Sequence, residues 1–444
     1  MPPANRALWA VVAALLLAAA SPARGETLEE AVKQTLETNP DVLIDASRRQ
    51  SVEQVLKQAK GGYLPRVDIA YGRGHQYGDN LTDQQTYGGP IGQIRYERSM
   101  TLTQMLYDGF ATANEVERNN ARLESATHRV AATSEQIALR AIEAYLEVLR
   151  NQEIMALTQD NLLVHQRTYD QIKLRASSGV GRKADQDQIE ARLALAKSNL
   201  TAAEANLKVA EINYRLIVGT TPGVLAQPKI PDTKLIPATP EEALPIALAN
   251  SRLLKSAMAD IEAAQAQREG ARALLHPRLD LELSANKSSL VSRFDVQPDT
   301  NRSAMLRMRY NLFKGNADVA RLEETRFQVR EAEEVRRRAE RQLEQSLRLS
   351  WNAYASARER LPFLTKHAEA SQLTREAYGK QFSLGQRTLL DLLDTENEAF
   401  TASSNLLNGR YVEIFSRFRV LADLSMLLDV IGVPPRDETI SGAH

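Results

Sequence analysis

The hydrophobic pattern of the chain is dominated by one long stretch with a seven-residue period. Apolar residues recur every seven positions at Val116, Leu123, Val130, Ile137 and Ala144. This spacing predicts a narrow stripe that packs against a partner helix. Neither glycine nor proline occurs between Gly109 and Gly179, so nothing local interrupts a helix predicted over 110–176. At 1.5 Å per residue this helix would be about 100 Å long, which exceeds the diameter of an ordinary globular core.

Four other stretches alternate apolar and polar residues, which is the pattern of a strand with two different faces. We predict these strands at about 66–77, 92–106, 278–287 and 302–312. Taken singly, each fits a half-buried sheet of a soluble domain. Four of them, each of about 10 residues, suit a transmembrane barrel with lipid outside and water inside. Since even small barrels need about eight strands, several chains would have to share one barrel.

The second half of the chain repeats the first. An offset of 212 residues carries Thr27 to Thr239 and Pro65 to Pro277. After the strands the offset falls to 206, which carries Gly109 to Gly315. The residues missing from the second copy therefore lie between its two strands, where a loop tolerates deletion. Each half has the order helix, strand, strand, very long helix, turn, helix, which indicates a duplication.

The first residues have the pattern of a targeting segment. Arg6 precedes about 14 apolar residues, too few to span a bilayer, and small residues lie at Ala23 and Gly25. We predict an exported protein cleaved after Gly25, with cleavage after Ala23 as the alternative. The predicted organisation is a signal peptide (1–25), a first repeat (26–219, with helices 110–176 and 184–218), a proline-rich linker (220–238), a second repeat (239–431, with helices 316–382 and 388–430) and a tail (432–444).

Composition excludes several classes of function. Lys+Arg and Asp+Glu number 56 each, so no basic field favours nucleic acid. The chain has no cysteine, which excludes disulfides, thiolate metal sites and a lipid-modified N-terminal cysteine. The histidines lack ligand spacing, and neither a phosphate-binding glycine loop nor a nucleophile elbow is present. We therefore expect no enzyme, no cofactor and no metal site.

Several short motifs are shared with a known family. They are the opening Thr27-Leu28-Glu29-Glu30-Ala31 and its copy at Thr239, the strand starts Pro65-Arg66-Val67-Asp68 and Pro277-Arg278-Leu279-Asp280, the turn Leu106-Tyr107-Asp108-Gly109, and the string from Leu384 to Asp394. With these motifs, and with its repeat architecture over nearly all of 26–433, the chain resembles the TolC family of outer-membrane efflux ducts. Without an N-terminal lipid cysteine, it is more similar to the unlipidated branch associated with type I secretion.

The resemblance implies a fold and a function. The fold would be mainly α with a transmembrane β part, as a homotrimer with a shared twelve-stranded barrel on a helical periplasmic tunnel. The function would be a passive exit duct in the outer membrane for protein secretion or drug efflux. Its partners would be a periplasmic adaptor and an energised inner-membrane transporter, either ABC or proton-driven. The alternative is a periplasmic adaptor or coiled-coil scaffold without a channel, which would not need four amphipathic strands.

The resemblance also implies sites at the two turns between long helices. The turns would form periplasmic tips that dock on the adaptor through Gly179, Val180, Gly181, Gly385 and Gln386. A glycine that merely ends a helix is the alternative for both Gly179 and Gly385.

Four charged residues near these turns complete the expected entrance. Asp391 and Asp394 are spaced i, i+3 and so share one side of a helix. Three copies would place two stacked acidic rings at the tunnel mouth and favour cations, whereas in the alternative the acids only complement the helix dipole. Arg387 and Asp185 would supply a charged entrance latch. A hydroxyl latch is in doubt because Phe382 replaces a tyrosine that is common in the family.

Overall fold

The computed structural model describes residues 25–78, 91–178, 182–291 and 296–434. The predicted signal peptide lies outside them except for Gly25. The elements of the first repeat are α1 (Leu28–Thr38), α2 (Pro40–Gly61), β1 (Arg66–Gly78), β2 (Ile91–Tyr107), α3 (Ala111–Ser177) and α4 (Lys183–Val218). Those of the second repeat are α5 (Pro240–Asn250), α6 (Arg252–Arg272), β3 (Arg278–Val291), β4 (Val296–Arg309), α7 (Ala317–Ser383), α8 (Leu389–Asp423) and α9 (Leu427–Ile431). The chain is thus mainly helical with a small sheet.

The chain forms two compact units, and each contains parts of both repeats. The first comprises Met1–Ala46, Arg129–Leu253 and Glu340–His444, and the second comprises Ser47–His128 and Leu254–Ala339. The sequence repeats are therefore not themselves the compact units. In the described ranges, no helix combines the length and the apolarity needed to cross a membrane.

Two predicted element boundaries were wrong. The helix predicted over 388–430 is divided, because Ser425 adopts a left-handed conformation with φ 54° between α8 and α9. The strand predicted over 302–312 begins at Val296 and ends at Arg309, since its ladder with β3 runs from Val291 to Arg278. Pro277 precedes Arg278 and has no N–H to continue the ladder.

The sheet has the order β1-β2-β3-β4 and all its described pairings are antiparallel. Arg66 of β1 faces Thr103 of β2, and Arg278 of β3 faces Arg309 of β4. These two pairs differ by the offsets of 212 and 206 found in the sequence. The duplication predicted from the sequence is therefore present in the strand register itself.

The turn from each hairpin into its long helix is repeated as well. Gly109 and Phe110 have φ 67°, and Gly315 and Asn316 have φ 62° and 64°. A Cβ at Gly109 would lie 2.6 Å from the Cβ of His276, so both the conformation and the space require glycine there. The glycine that ends the motif Leu106-Tyr107-Asp108-Gly109 is therefore required by the backbone conformation and by the close packing at this turn.

The two faces of the sheet differ in polarity, as the alternation predicts. One face is lined by apolar residues, namely Val67, Ile69, Tyr71, Met100, Leu102, Leu281, Leu283, Leu306 and Met308. The other carries polar residues, among them Asp68, Thr101, Thr103, Asp280, Glu282, Ser284, Ser303 and Arg307. Ile69 is 79% exposed and Met308 67% exposed, so the apolar face is not covered by protein in the single chain.

The first unit has a helical core that uses the predicted stripe of α3. Val130, Ile137 and Ala144 are all buried. Ser134 and Ala141, between them, are also buried, which allows neighbouring helices to approach closely. The stripe predicted from the seven-residue period is therefore a packing surface in this unit.

Two buried tyrosines hold the segment that follows the predicted cleavage site. Tyr214 donates a hydrogen bond to the Glu26 carboxylate over 2.7 Å, and the Tyr145 hydroxyl lies 2.7 Å from the Glu26 carbonyl oxygen and 2.6 Å from that of Ala226. Burial and the nearby Glu26 charge raise the pKa of Tyr145 to about 12. Burial and the Glu26 hydrogen bond also raise the pKa of Tyr214, so both hydroxyls remain protonated donors at neutral pH.

Candidate functional site at the hairpin ends

The turn between α7 and α8 is built around Gly385. Gly385 N–H donates to the Phe382 carbonyl over 3.0 Å, and Gln386 N–H donates to the Gln381 carbonyl over 2.9 Å. This pair of bonds is a Schellman cap with Gly385, at φ 75°, in its left-handed position. Apart from its chain neighbours, no atom of the described residues lies within 4 Å of where a Cβ of Gly385 would be. The geometry assigns Gly385 a helix-ending role, and docking through Gly385 and Gln386 stays a prediction.

The turn between α3 and α4 is only partly described. Gly179, Val180 and Gly181 lie outside the described residues. On either side of them, α3 ends at Ser177 and α4 begins at Lys183. Docking through these three residues stays a prediction.

Asp391 caps the helix that it helps to begin. Its carboxylate accepts a hydrogen bond from the Thr388 N–H over 3.1 Å, and the Thr388 hydroxyl accepts one from the Asp391 N–H over 3.2 Å. This reciprocal arrangement is a capping box. Hydrogen bonds from Thr388, together with the Arg387 charge, hold the pKa of Asp391 below its usual value. Asp391 therefore has a local role, which leaves its membership of an acidic ring as a prediction.

Asp394 forms an ion pair that the sequence analysis missed. Its Oδ1 lies 3.0 Å from the Nη2 of Arg192 on α4. The internal repeat contained a signal for this ion pair. Asp394 corresponds to Gln188 in the first repeat, and Arg192 lies one helical turn after Gln188 on α4. The pair places a cation directly beside one of the two acids proposed for the ring.

Arg387 and Asp185 line one cavity of about 610 Å³ between the two hairpin ends. Arg387 Nε donates to Gln381 Oε1 over 3.0 Å, and its guanidinium lies 4.2 Å from the centre of the Tyr378 ring. These contacts hold Arg387 against its own hairpin. The latch between Arg387 and Asp185 therefore stays a prediction, although both residues line the same cavity.

A small hydrophobic cluster joins the two hairpin ends. It contains Ile172, Ile189, Phe382, Leu389, Leu392 and Leu393. Phe382 is buried, and the guanidinium of Arg175 lies 5.4 Å from the centre of its ring. A cation over an aromatic face is favourable. The residue that replaces the family's tyrosine thus packs between hairpins without using a hydroxyl group.

The polar face of the sheet carries a network of ion pairs. Asp280, fully buried, accepts from Arg278 Nε at 3.0 Å and from Arg309 Nη1 at 3.2 Å. Glu282 accepts from Arg307 Nε and from Arg309 Nη2, both at 2.7 Å. Three guanidinium groups therefore surround two carboxylates. Such charges are compatible with a face that meets water and would be costly on a face that meets the middle of a bilayer.

Comparison with known proteins agrees with this architecture. The sequence matches the outer membrane efflux protein family over residues 31–220 and 243–412. The chain is 24% identical to the outer membrane efflux protein BepC of Brucella suis biovar 1, over 93% of this chain and 88% of that protein. It is 21% identical to the alkaline protease secretion protein AprF of Pseudomonas aeruginosa, over 85% of this chain and 79% of AprF.

Solved structures show the same fold. The outer membrane channel CmeC of Campylobacter jejuni superposes with a TM-score of 0.76 at 12% identity, over 91% of this chain and 86% of CmeC. The MtrE outer membrane channel of Neisseria gonorrhoeae superposes with a TM-score of 0.72 at 17% identity, over 92% of this chain and 89% of MtrE. With both repeats matched and the fold shared, the chain belongs to the outer membrane efflux protein family, the TolC family, and is an efflux channel of the outer membrane.

Proposed function

We propose that three copies of this chain close one twelve-stranded barrel and form a passive duct for secreted protein or exported drug. The amphipathic four-stranded sheet carries this proposal. Four strands cannot close a barrel, because about eight are needed to leave an interior filled by side chains. Three copies supply twelve.

The two edges of the sheet support the sharing of strands. Among the described strands, β1 and β4 each have a partner on one side alone. Long unpaired edges template pairing with another chain, and within a membrane every backbone polar group needs a partner. Pairing of β4 from one copy with β1 from the next satisfies both edges. A periplasmic adaptor or coiled-coil scaffold would have no use for this sheet.

The hairpin ends would receive the adaptor that connects the duct to an ABC or proton-driven transporter of the inner membrane. Leu174 near the end of α3 is 69% exposed, and Leu384 in the second turn is 73% exposed. Exposed apolar side chains at a tip are suited to packing against the apolar face of another protein's helices. The duct itself needs no catalytic group, since the transporter supplies the energy.

Membrane fractionation followed by conductance measurement tests the duct. We expect the chain in the detergent-extracted outer-membrane fraction, with the mass of a trimer and stable conductance in planar bilayers. Ile69→Asp should prevent membrane assembly because it places a charge on the lipid face, whereas Ser99→Asp on the polar face, opposite the uncharged Ala70 and Asn286, should be tolerated. A wild-type product that is soluble in the periplasm would contradict the duct and favour the scaffold.

A further inference from the structure

A row of cations crosses the apolar face of the sheet. Arg73 of β1, Arg98 of β2, Lys287 of β3 and Arg302 of β4 all lie on the same face as Ile69 and its apolar neighbours. All four cations are exposed. Each strand therefore contributes one positive charge to a face that is otherwise mainly apolar.

No carboxylate lies on this face along the described lengths of the four strands. The acids of the sheet, which are Asp68, Glu97, Asp280, Glu282 and Asp299, all belong to the opposite face. There the arginines have acidic neighbours, as in the pairs Arg66–Asp68 and Arg95–Glu97. The cations of the apolar face therefore have no acidic neighbour on their own face, whereas the arginines of the opposite face do.

Two of the cations oppose one another directly. Arg98 and Lys287 are cross-strand partners in the β2–β3 register. Like charges in directly opposite positions destabilise a sheet. Arg98 lies 5.8 Å from the centre of the Tyr71 ring, and Arg73 lies 5.3 Å from that of Tyr96. These rings hold the guanidinium groups on the face but do not neutralise them, so an anion from outside the chain would relieve the repulsion.

Three of the four cations line a shallow cavity of about 440 Å³ whose exposed surface is mainly apolar. Its lining includes Ile69, Tyr71 and Met100 together with Arg98, Lys287 and Arg302. A ligand suited to this surface has an acyl chain and an anionic headgroup. Arginine and lysine are both common ligands of phosphate oxygens.

The position along the strand agrees with a headgroup. Arg98 precedes Tyr107, at the base of β2, by nine residues, which is about 30 Å along a strand. A tilt of about 45° reduces this to roughly 20 Å across the membrane, close to the height of the apolar band of an outer-membrane barrel.

We propose that Arg98, Lys287 and Arg302, with Arg73 beside them, bind the phosphate headgroup of a membrane lipid whose acyl chains lie along Ile69 and Met100. The site rests on the proposed function in one respect, because it requires this face to meet lipid. It adds a ligand that bridges the cations of the four strands.

Binding of phosphatidic acid to delipidated trimer in a non-ionic detergent, followed by native mass spectrometry, tests the site. Arg98→Gln with Lys287→Gln should raise the dissociation constant at least tenfold. The matched control, Arg66→Gln with Arg95→Gln, removes the same charge from the opposite face and should stay within twofold of wild type. Diacylglycerol, which lacks phosphate, should bind weakly and equally to all three proteins.

Three outcomes would overturn the proposal. They are equal affinity for phosphatidic acid in the double variant and wild type, equal weakening in the control, and displacement of phosphatidic acid by millimolar inorganic phosphate, which indicates a free-anion site. If the double variant does not fold, Arg302→Gln decides by the same measurement, with an expected loss of at least threefold. Wild-type protein that stays soluble without detergent would contradict the duct as well, whereas a detergent-dependent trimer with unchanged lipid affinity would contradict the lipid site alone.

Discussion

Arg192 and Asp394 form an ion pair across 202 positions of sequence, with 3.0 Å between Nη2 and Oδ1. The pair joins α4 to α8 just inside the hairpin ends. Asp394 is 60% exposed as a side chain, so the pair adds little to the free energy of unfolding, of the order of 0.2–1 kcal/mol. Its main effect is on charge, because it places a cation beside an acid proposed for the entrance ring.

Removal of the Arg192 cation should increase the negative charge of the proposed acidic ring. We predict that Arg192→Gln increases cation selectivity and that Asp394→Asn decreases it, because the first exposes a carboxylate charge and the second removes it. Reversal potentials under a salt gradient in planar bilayers measure both. Lys197→Gln, an exposed lysine farther along α4, serves as the control for general charge. Unchanged reversal potentials in both Arg192 and Asp394 variants would exclude Asp394 from the conduction path.

The capping box should contribute stability to the start of α8. Thr388→Ala removes the hydroxyl that accepts from Asp391 N–H, and loss of such a cap costs about 1 kcal/mol. Thr374→Ala is the matched control, because the Thr374 hydroxyl bonds only within its own helix, to the Ala370 carbonyl at 2.8 Å. Thermal unfolding of the two variants in detergent should show the larger loss for Thr388→Ala, and equal losses would contradict the capping role.

The lowered pKa of Asp391 has a defined pH dependence. A carboxyl whose pKa is lower in the folded state stabilises the fold above its ordinary pKa and loses that contribution as pH falls through the folded value. The stabilisation is therefore complete at neutral pH and is lost only in strong acid. In Thr388→Ala the pKa of Asp391 should lie closer to its ordinary value, so this acid-dependent loss of stability should be smaller than in wild type.

How much could be predicted from the sequence depends on the range of the interaction. The alternation at Val67 and Ile69 and the period through Val130 are local patterns, and both correspond to faces in the structure. The Arg192–Asp394 pair depends instead on the packing of two distant helices, which no local propensity records. The break at Ser425 was missed because the helical pattern of the sequence continues across it. In the structure, the left-handed turn at Ser425 places Leu424 and Leu427 in buried positions.

Glu135 gives the first unit a pH dependence of opposite sign. Burial and the charge of Asp429 raise the pKa of Glu135 to about 7, against the backbone N–H groups of Leu427 and Leu428 and the charge of Arg252. One of its carboxylate oxygens is buried without a hydrogen-bond partner among the described residues. Since the folded chain then binds a proton that the unfolded chain has lost, stability should fall as pH rises from about 4.5 to about 7.

Glu135→Gln should remove this loss. At about 1.4 kcal/mol per pKa unit, the effect is on the order of 2–3 kcal/mol. We expect the melting temperature of Glu135→Gln, relative to wild type, to be higher at pH 8 than at pH 5. Glu143→Gln, which changes an exposed residue of the same helix, is the control. An identical difference at both pH values would contradict the assignment.

Gly385 allows docking to be separated from folding. Gly385→Asn adds a side chain that tolerates the left-handed conformation, and the space around it is open. We therefore expect a stable trimer with reduced cross-linking to the adaptor. Gly385→Val is the matched control for backbone strain, since a β-branched residue at φ 75° should destabilise the turn. Normal adaptor cross-linking in a folded Gly385→Asn protein would favour a purely helix-ending role.

The internal repeat also predicts how one copy pairs with the next. Within the chain, Leu102 of β2 faces Leu283 of β3. The offsets of 206 and 212 carry these residues to Met308 of β4 and Tyr71 of β1. If the seam between copies repeats the internal pairing, Met308 of one copy faces Tyr71 of the next. Both residues are exposed in the single chain, at 67% and 63%.

Cysteine cross-linking at this seam is the most direct test of the shared barrel, and the chain has no native cysteine to interfere. Tyr71→Cys with Met308→Cys should form disulfides between copies on oxidation, because opposed Cβ atoms lie about 4.5–5.5 Å apart. The control, Tyr71→Cys with Leu306→Cys, shifts one thiol about 6.6 Å along the strand and should cross-link poorly. In denaturing electrophoresis, we expect covalent products that end at three chains for the Met308 pair. Products that stop at two chains, continue beyond three or form equally in the control would contradict a closed trimeric barrel with this register.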